Sequence, residues 1–319
     1  MAWQLIHRLL PALLLATLSH SGARAQEALR VAIGQRGGWE QSVSELGQNK
    51  GFFKKHGLVL DVLYTQGSAE TLQSVISNSI DIGIGLGTHA VLGAFVKGAP
   101  IRAIGASFTS ADEQFYYVVA DSPIRSMQDA DGKTIAISTN GSASNMFALA
   151  LAKHFGITLK PQPAGAYAAT LTQTLTRQVD IGFSAAPFNL NYVDEGKIRI
   201  IARGSDVPEL RDITSRLIVV STAGLERRRD ALTRFMQGYR GTLDWLYADP
   251  AAIQAYAAWS TLPEAIARQA PEFMTRRNME PTRISGLDGI MADAVKFKYI
   301  SAPLTKVQLD ELLQVDAVR

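Results

Sequence analysis

The residue types that carry most enzyme chemistry are scarce in this chain and form no known catalytic set. The sequence contains no cysteine, and it has no H-E-x-x-H, G-x-S-x-G or P-loop pattern. Gly83, Gly85 and Gly87 stand close together. They lack the G-x-G-x-x-G spacing, and the acidic residue about 20 positions later, that a dinucleotide-binding loop needs. We therefore predict a protein that is not an enzyme and that uses no cofactor and no metal.

Small and polar residues cluster instead at points where a predicted strand gives way to a helix. A helix N-terminus has free N–H groups and a partial positive charge, and small residues there let an anionic group approach the backbone. In an open parallel sheet, ligands bind beyond the carboxyl ends of the strands, where these clusters fall. The predicted ligand-binding residues are Gly38, Trp39, Ser68, Thr88, His89, Ser107, Asn140, Gly141, Ser142, Ala143 and Ala186.

Several of these residues also have a purely structural interpretation. Ser68 and Ser142 are typical helix N-caps as well as candidate ligand contacts. Trp39 is either one wall for an apolar ligand body or a half-buried aromatic residue of its own domain. His89 follows Gly87-Thr88, so it is either a donor to a ligand anion or a histidine whose hydrogen bonds are satisfied in the core or behind the ligand contacts. The sequence leaves these alternatives open.

The elements that must position these residues occur twice. Residues 55–105 resemble residues 153–204, and the Ile-Asp-Ile-Gly motif at 80–83 corresponds to Val-Asp-Ile-Gly at 179–182. A single long repeat of this kind indicates two related domains and not a solenoid.

Within each copy, short β-branched runs alternate with segments of helical spacing, which predicts βαβ units and parallel sheets covered by helices. Two further apolar runs, at 115–120 and 217–221, flank the second copy and share a Val-Val pair. We interpret them as hinge strands that cross between two lobes. The predicted strands are 29–34, 58–64, 81–85 and 101–106 in the first copy, and 133–138, 158–161, 180–183 and 198–202 in the second.

The resulting domain prediction assigns residues 26–113 and 221–319 to lobe one. Residues 114–220 form lobe two, with the hinge strands at its two ends. After the second crossing, helices are predicted at 225–248, 250–260 and 304–315, with a shorter one from Pro263, and we expect them to pack on lobe one.

The first 25 residues predict a secretory signal peptide. His7 and Arg8 precede an apolar run at 9–18, and Ala23-Arg24-Ala25 has the A-x-A form of a cleavage site. The run is too short for a membrane span of about 20 residues. Removing it leaves 30 basic and 29 acidic residues, and no basic patch of the kind that binds nucleic acid is visible. We expect a soluble protein that is exported to the periplasm.

Four motifs in a fixed order resemble the sulfonate-, taurine- and nitrate-binding proteins, the SsuA/TauA/THI5-like family of ABC-transporter substrate-binding proteins. The resemblance covers nearly the whole mature chain. A related enzyme branch that synthesises pyrimidines relies on a cysteine-rich motif, which this chain lacks. The motifs are Gly-Phe-Phe-Lys-Lys-His-Gly-Leu at 51–58, Ile-Asp-Ile-Gly at 80–83, Asp-Ser-Pro-Ile at 121–124 leading to Asp-Gly-Lys at 131–133, and Gly-Ser at 141–142.

The resemblance implies a type II periplasmic binding protein fold, an α/β fold with two lobes joined by two hinge strands that close on a ligand. It also implies a monomer that delivers the ligand to an ABC permease and its ATPase at the inner membrane. From the helix N-termini we predict that the ligand is a small organic anion, a sulfonate or carboxylate with or without an aromatic ring. The alternatives are a ligand-binding sensory module and a THI5-like, pyrimidine-related protein.

Overall fold

The protein is described here by a computed structural model of residues 26–319, and the predicted signal peptide lies outside these residues. The described chain forms two α/β lobes. No helix within it is long and apolar enough to cross a membrane.

Lobe one is built on a five-stranded sheet. Its strands are β1 (Glu27–Ile33), β2 (Leu58–Tyr64), β3 (Ile82–Gly87), β4 (Ile101–Thr109) and β10 (Thr214–Ser221). They lie in the order β2-β1-β3-β10-β4. The neighbours β2, β1 and β3 are parallel, and β10 is antiparallel to β3 and β4.

Lobe two repeats this arrangement. Its strands are β5 (Gln114–Val119), β6 (Thr134–Ile137), β7 (Lys160–Pro163), β8 (Gly182–Ala185) and β9 (Ile198–Arg203). The set β8-β5-β9 and the pair β6-β7 are joined by a parallel bridge between Ile135 and Ile181. The resulting order, β7-β6-β8-β5-β9, matches lobe one strand for strand.

Helices cover both sheets. In lobe one, α1 packs against α8 and α9, which accords with the predicted return of the last helices to that lobe. The sequence did not predict the helix at 287–296. The helices are α1 (Trp39–Lys50), α2 (Phe52–Lys55), α3 (Ser68–Ile76), α4 (Thr88–Val96), α5 (Ala143–Phe155), α6 (Tyr167–Leu175), α7 (Leu190–Asp194), α8 (Thr222–Ala248), α9 (Ala251–Ser260), α10 (Glu264–Ala267), α11 (Ala270–Phe273), α12 (Leu287–Lys296) and α13 (Lys306–Leu312).

The aspartate of the repeated sequence motif has the same structural role in both lobes. Asp81 accepts a hydrogen bond from the backbone N–H of Arg30 at 2.8 Å. Asp180 accepts one from the backbone N–H of Thr134, also at 2.8 Å. Each carboxylate therefore ties the turn before one central strand to the neighbouring strand, which explains why the motif recurs.

The chain crosses between the lobes twice. It leaves lobe one after β4 and enters lobe two with β5, and it returns from β9 to β10. Because β10 pairs along its length with β4 of lobe one, the second crossing lies before Thr214, several residues earlier than the predicted boundary at 220. Each crossing supplies the single antiparallel strand of the lobe it enters.

Candidate functional site

A small cavity lies between the two lobes, where the carboxyl ends of their parallel strands face each other. It encloses about 30 Å³, room for about two water molecules. The lobes are therefore closed on each other around it. Its lining residues are Gly34, Gln35, Gln41, Ser68, Gly85 and Arg216 from lobe one, and Gln114, Ser138, Ser142, Ala143, Ser144, Tyr167 and Phe183 from lobe two.

Lobe two contributes the N-terminus of α5 and the serine-rich loop before it. Ser142 is the N-cap, and its hydroxyl accepts from the backbone N–H of Asn145 at 3.2 Å. The Ser144 hydroxyl accepts from the N–H of Ser138 at 2.9 Å and lies 2.9 Å from the Ser142 hydroxyl. The serine hydroxyls thus bond mainly to one another and to the loop. The first N–H groups of α5 remain directed out of its N-terminus, where an anion is favoured.

Lobe one contributes a buried cluster of charges beside the cavity. Arg216 lines the cavity from the amino end of β10. Its Nη2 donates to Glu113 Oε1 at 2.6 Å, and its Nε lies 2.6 Å from Glu40 Oε2. Both glutamate side chains are completely buried. The Arg216 guanidinium also stacks over the ring of Phe108, with 4.9 Å between Cζ and the ring centroid.

Burial sets the protonation of this cluster. It raises the pKa of Glu113 to about 7, although the Arg216 guanidinium opposes the shift and Glu40 adds to it. For Arg216 the balance is reversed. Burial disfavours its charge, but the two carboxylates outweigh it and hold its pKa above the ordinary value. Arg216 therefore stays charged while Glu113 titrates near neutrality.

Three of the predicted ligand-binding residues line the cavity: Ser68, Ser142 and Ala143. The Ser68 hydroxyl donates to the carbonyl of Gly85 at 3.3 Å and accepts from the N–H of Gly87 at 3.2 Å. Two loops that are distant in sequence therefore meet at one cavity. These hydroxyls already have partners within the protein, so the contribution of Ser68 and Ser142 to ligand binding stays a prediction.

Trp39 and His89 lie in the core and do not line the cavity. Trp39 is completely buried, donates from Nε1 to the Tyr247 hydroxyl at 3.0 Å, and packs edge-on against Tyr256. His89 is completely buried against the ring of Tyr299, 5.1 Å between centroids, and burial lowers its pKa to about 4. The position of Trp39 corresponds to the structural alternative that the sequence left open. His89 also lies in the core, but neither of its ring nitrogens has a hydrogen-bond partner.

The remaining predicted residues also lie outside the lining. The Thr88 hydroxyl donates to the carbonyl of Thr214 at 2.6 Å. Ser107 and Ala186 are completely buried, and Asn140 is exposed. Gly38 is the N-cap of α1.

Gly141 contributes to the contact between the lobes. Its carbonyl accepts from the N–H of Ala90 at 3.2 Å, and its own N–H donates to the Tyr299 hydroxyl at 3.0 Å. Lys153 of α5 pairs with Asp293 of α12 at 2.8 Å. These bonds join lobe two to lobe one at both ends of α5.

Sequence reasoning missed the polar residues at the amino ends of the two antiparallel strands. Arg216 and Gln114 both line the cavity. The rule for open parallel sheets points only to the carboxyl ends of the strands, and an antiparallel strand presents its amino end at that same edge. An arginine directly before the apolar run at 217–221 was the available signal, because charged residues are rarely buried without a partner.

The family model described as NMT1/THI5 like matches residues 45–253, more than half of the 319-residue chain. The chain belongs to this family. Among curated proteins, no sequence matches it.

Solved structures with the same fold include proteins that bind anions and one with a metal. The alkanesulfonate-binding protein SsuA from Xanthomonas axonopodis pv. citri, bound to MOPS, has a TM-score of 0.75 at 19% identity, covering 91% of this chain and 99% of that one. The periplasmic nitrate-binding protein NrtA from Synechocystis PCC 6803 has 0.69 at 12% identity, covering 92% and 87%.

The ligand-binding component of an ABC-type import system from Staphylococcus aureus, with zinc bound, has a TM-score of 0.74 at 14% identity, covering 92% and 98%. These likenesses confirm the predicted periplasmic binding protein fold. In residues 26–319 of this chain, no group of three or more His, Cys, Asp or Glu side chains is arranged to hold a metal ion.

Proposed function

We propose that this NMT1/THI5-like protein is the periplasmic solute-binding component of an ABC importer and captures a small organic anion between its lobes. The observation that carries the proposal is the interlobe cavity, which residues of both lobes line. Lobes joined by two crossings can separate to admit a ligand and close to bury it. Delivery to a permease and its ATPase, export through the N-terminal segment, and the absence of catalytic turnover belong to the same proposal.

The chemistry of the cavity supports an anionic ligand. The N-terminus of α5 carries a partial positive charge, and Ser142, Ala143 and Ser144 at its start all line the cavity. Arg216 faces them from lobe one. Tyr167 and Phe183, whose ring centroids are 5.7 Å apart, form an aromatic wall for the apolar part of the ligand.

Native mass spectrometry of protein purified without refolding tests the ligand class. We expect a co-purified or added acid, from a panel of sulfonates, aromatic carboxylates and nitrate, to bind with a stoichiometry of one. In solution scattering, the ligand should reduce the radius of gyration of unliganded protein. If only a neutral pyrimidine or a cation binds, the anion assignment is wrong. If a ligand binds without any change of radius, closure is wrong.

A further inference from the structure

Arg216 is the one charged residue among those that line the cavity in the described chain. It is held in a fixed orientation by Glu40, Glu113 and the ring of Phe108. Its Nη1 makes no hydrogen bond to any residue of 26–319. Its Nη2 donates to Glu113, and its Nε lies 2.6 Å from Glu40 Oε2 without the geometry of a hydrogen bond. A guanidinium presented in this way has a donor left for a ligand oxygen.

The two carboxylates create a difficulty for an anion at this position. With all three groups ionised, the cluster of Glu40, Glu113 and Arg216 has a net charge of minus one, so a further negative charge beside Arg216 would be repelled. The difficulty disappears if one carboxylate is protonated.

Glu113 is the carboxylate with the fewer side-chain partners. Glu40 and Glu113 are both completely buried, and each has one oxygen without a hydrogen-bond partner. Glu40 Oε2, however, also accepts from Gln41 Nε2 at 3.3 Å, whereas Glu113 has only Arg216. An unpaired carboxylate oxygen away from water is costly, whereas a protonated one is not charged. Burial already brings the pKa of this group to about 7. An anion on Arg216 would compete for the charge that stabilises the Glu113 carboxylate and raise this pKa further.

We propose that Arg216 binds the acidic group of the ligand and that Glu113 takes up a proton as it does so. This inference rests on the proposed function, because it concerns the anion in the same cavity. The other titratable groups that face Glu113 are Glu40 on α1, Arg216 on β10, Tyr116 on β5 and Tyr167 on α6. Burial raises the pKa of both tyrosines, so they stay neutral near pH 7.

Calorimetric titration with ethanesulfonate and with nitrate tests the proton uptake. Both probes stay ionised from pH 6 to 9, so any pH dependence belongs to the protein. We expect the affinity to be nearly constant below pH 7 and to fall by about tenfold per pH unit above it, as uptake of one proton requires. Titration at pH 8 in buffers of different ionisation enthalpy should show uptake of about one proton.

Two substitutions assign the effect to its residues. Glu113→Gln keeps the shape and the acceptor for Arg216 but cannot ionise, so its affinity should be independent of pH and exceed that of the natural protein by about tenfold at pH 8. Arg216→Gln should weaken binding at pH 6 by about tenfold or more. Glu280→Gln, which alters an ion pair with Arg276 outside the cavity, is the matched control and should retain the pH dependence.

Binding of either anion without proton uptake, or a Glu113→Gln variant with the unchanged pH slope, would overturn the inference and leave the proposed function standing. If Arg216→Gln does not fold, the pH dependence of affinity in the natural protein and in Glu113→Gln still tests the proton uptake. If neither anion, nor any acid of the panel, binds at pH 6 while a neutral or cationic compound does, the anion assignment itself fails, and this inference fails with it.

Discussion

The two sides of the interlobe cavity handle their polar groups in opposite ways. On the lobe-two side, the loop at 138–145 pairs its serine hydroxyls with its own backbone and with one another. On the lobe-one side, the charge cluster of Glu40, Arg216 and Glu113 leaves Glu40 Oε1 and Glu113 Oε2 without partners. The serine hydroxyls are satisfied within the loop, although the Thr139 hydroxyl is not, whereas each of the three residues of the charge cluster has a buried polar atom without a hydrogen bond.

This difference gives the two sides different roles: the loop holds a helix terminus in place, and the charge cluster can change its protonation. A loop whose serine hydroxyls are all engaged holds the α5 N-terminus in one place, and hydrogen bonds of this kind each add about 1 kcal/mol to stability. A buried cluster with a surplus carboxylate contributes less to stability than its short contacts suggest, because desolvation offsets much of the attraction. Its charge can change when a ligand arrives. We therefore expect the loop at 138–145 to govern shape and the charge cluster to govern affinity and pH response.

The largest effect should follow from removing the only cation of the cluster. Arg216→Met would leave two completely buried carboxylates uncompensated, and we expect the free energy of unfolding at pH 8 to fall by about 3–5 kcal/mol. Urea denaturation measures it. Arg276→Met, which breaks partly exposed pairs with Asp244 and Glu280, should cost about 1 kcal/mol or less. An equal decrease in the free energy of unfolding for the two variants would contradict the claim that Arg216 compensates two buried carboxylates.

The titration of Glu113 should appear in the pH dependence of stability. Because its folded pKa of about 7 exceeds the ordinary 4.5, the folded state binds the proton more tightly. Its contribution is fully present below about pH 4.5 and is lost as the pH rises through 7, on the order of 3 kcal/mol in all. His89 changes stability in the opposite direction. Its folded pKa of about 4 lies below the ordinary 6.5, so its contribution is present above pH 6.5 and is lost as the pH falls towards 4.

The contribution of Glu113 is therefore measured as a difference between two proteins. Between pH 5 and 8 the free energy of unfolding of Glu113→Gln should rise relative to that of the natural protein, because only the natural protein loses stability as Glu113 ionises. The contribution of His89 cancels, since both proteins contain it. Urea midpoints at four pH values suffice. Parallel pH profiles would show that Glu113 does not titrate in this range.

Closure itself can be tested at Gly87, where the backbones of the two lobes approach each other closely. A Cβ on Gly87 would lie 2.3 Å from the carbonyl oxygen of Gly141 and 2.6 Å from Cα of Ser142, both backbone atoms of lobe two. Gly87 has an ordinary φ of −58°, so Gly87→Ala should leave each lobe intact. We expect the closed state to lose about 1–3 kcal/mol relative to the open one, and anion affinity to fall by about tenfold or more.

Scattering and calorimetry of Gly87→Ala check this expectation. Its radius of gyration with saturating anion should stay larger than that of the liganded natural protein. Gly289→Ala is the matched control, because a Cβ there meets no atom within 4 Å. Unchanged affinity and radius for Gly87→Ala would mean that the lobes do not need this contact to bind ligand.

The architecture and one side of the cavity were accessible from the sequence because they depend on periodic patterns. The internal repeat predicted two sheets of matching order, and the Gly-Ser pair at 141–142 predicted the α5 N-terminus. The sequence did not show that the amino ends of β5 and β10, the strands that follow the two crossings, also reach the cavity. Arg216 and Gln114 reach the cavity only because β10 and β5 run antiparallel to their neighbours, and strand direction is a property of the tertiary fold.

The partners of Arg216 were inaccessible for a related reason. Glu40 and Glu113 are separated from it by 176 and 103 positions in sequence, and neither belongs to a motif. Burial of Trp39 and His89 was likewise decided by helices that pack from the C-terminal part of lobe one. Residues such as Tyr247 and Tyr299 cover them, and a local pattern carries no information about such contacts.

The smallest effect concerns Ser142, where a cap and a ligand contact can be separated. Ser142→Ala removes the hydroxyl that accepts from Asn145 N–H, so the free energy of unfolding should fall by about 1 kcal/mol. Ser142→Asp keeps a capping oxygen and should restore that stability, but its negative charge at the α5 N-terminus should repel the anion and weaken binding by about tenfold or more. Thr305→Ala, at the cap of α13, is the stability control, since its hydroxyl has the same role far from the cavity. Urea denaturation and calorimetry of the three variants give the answer. If Ser142→Asp binds ethanesulfonate as well as the natural protein does, the loop at 138–145 positions the helix without receiving the anion, and the acidic group must lie on the Arg216 side alone.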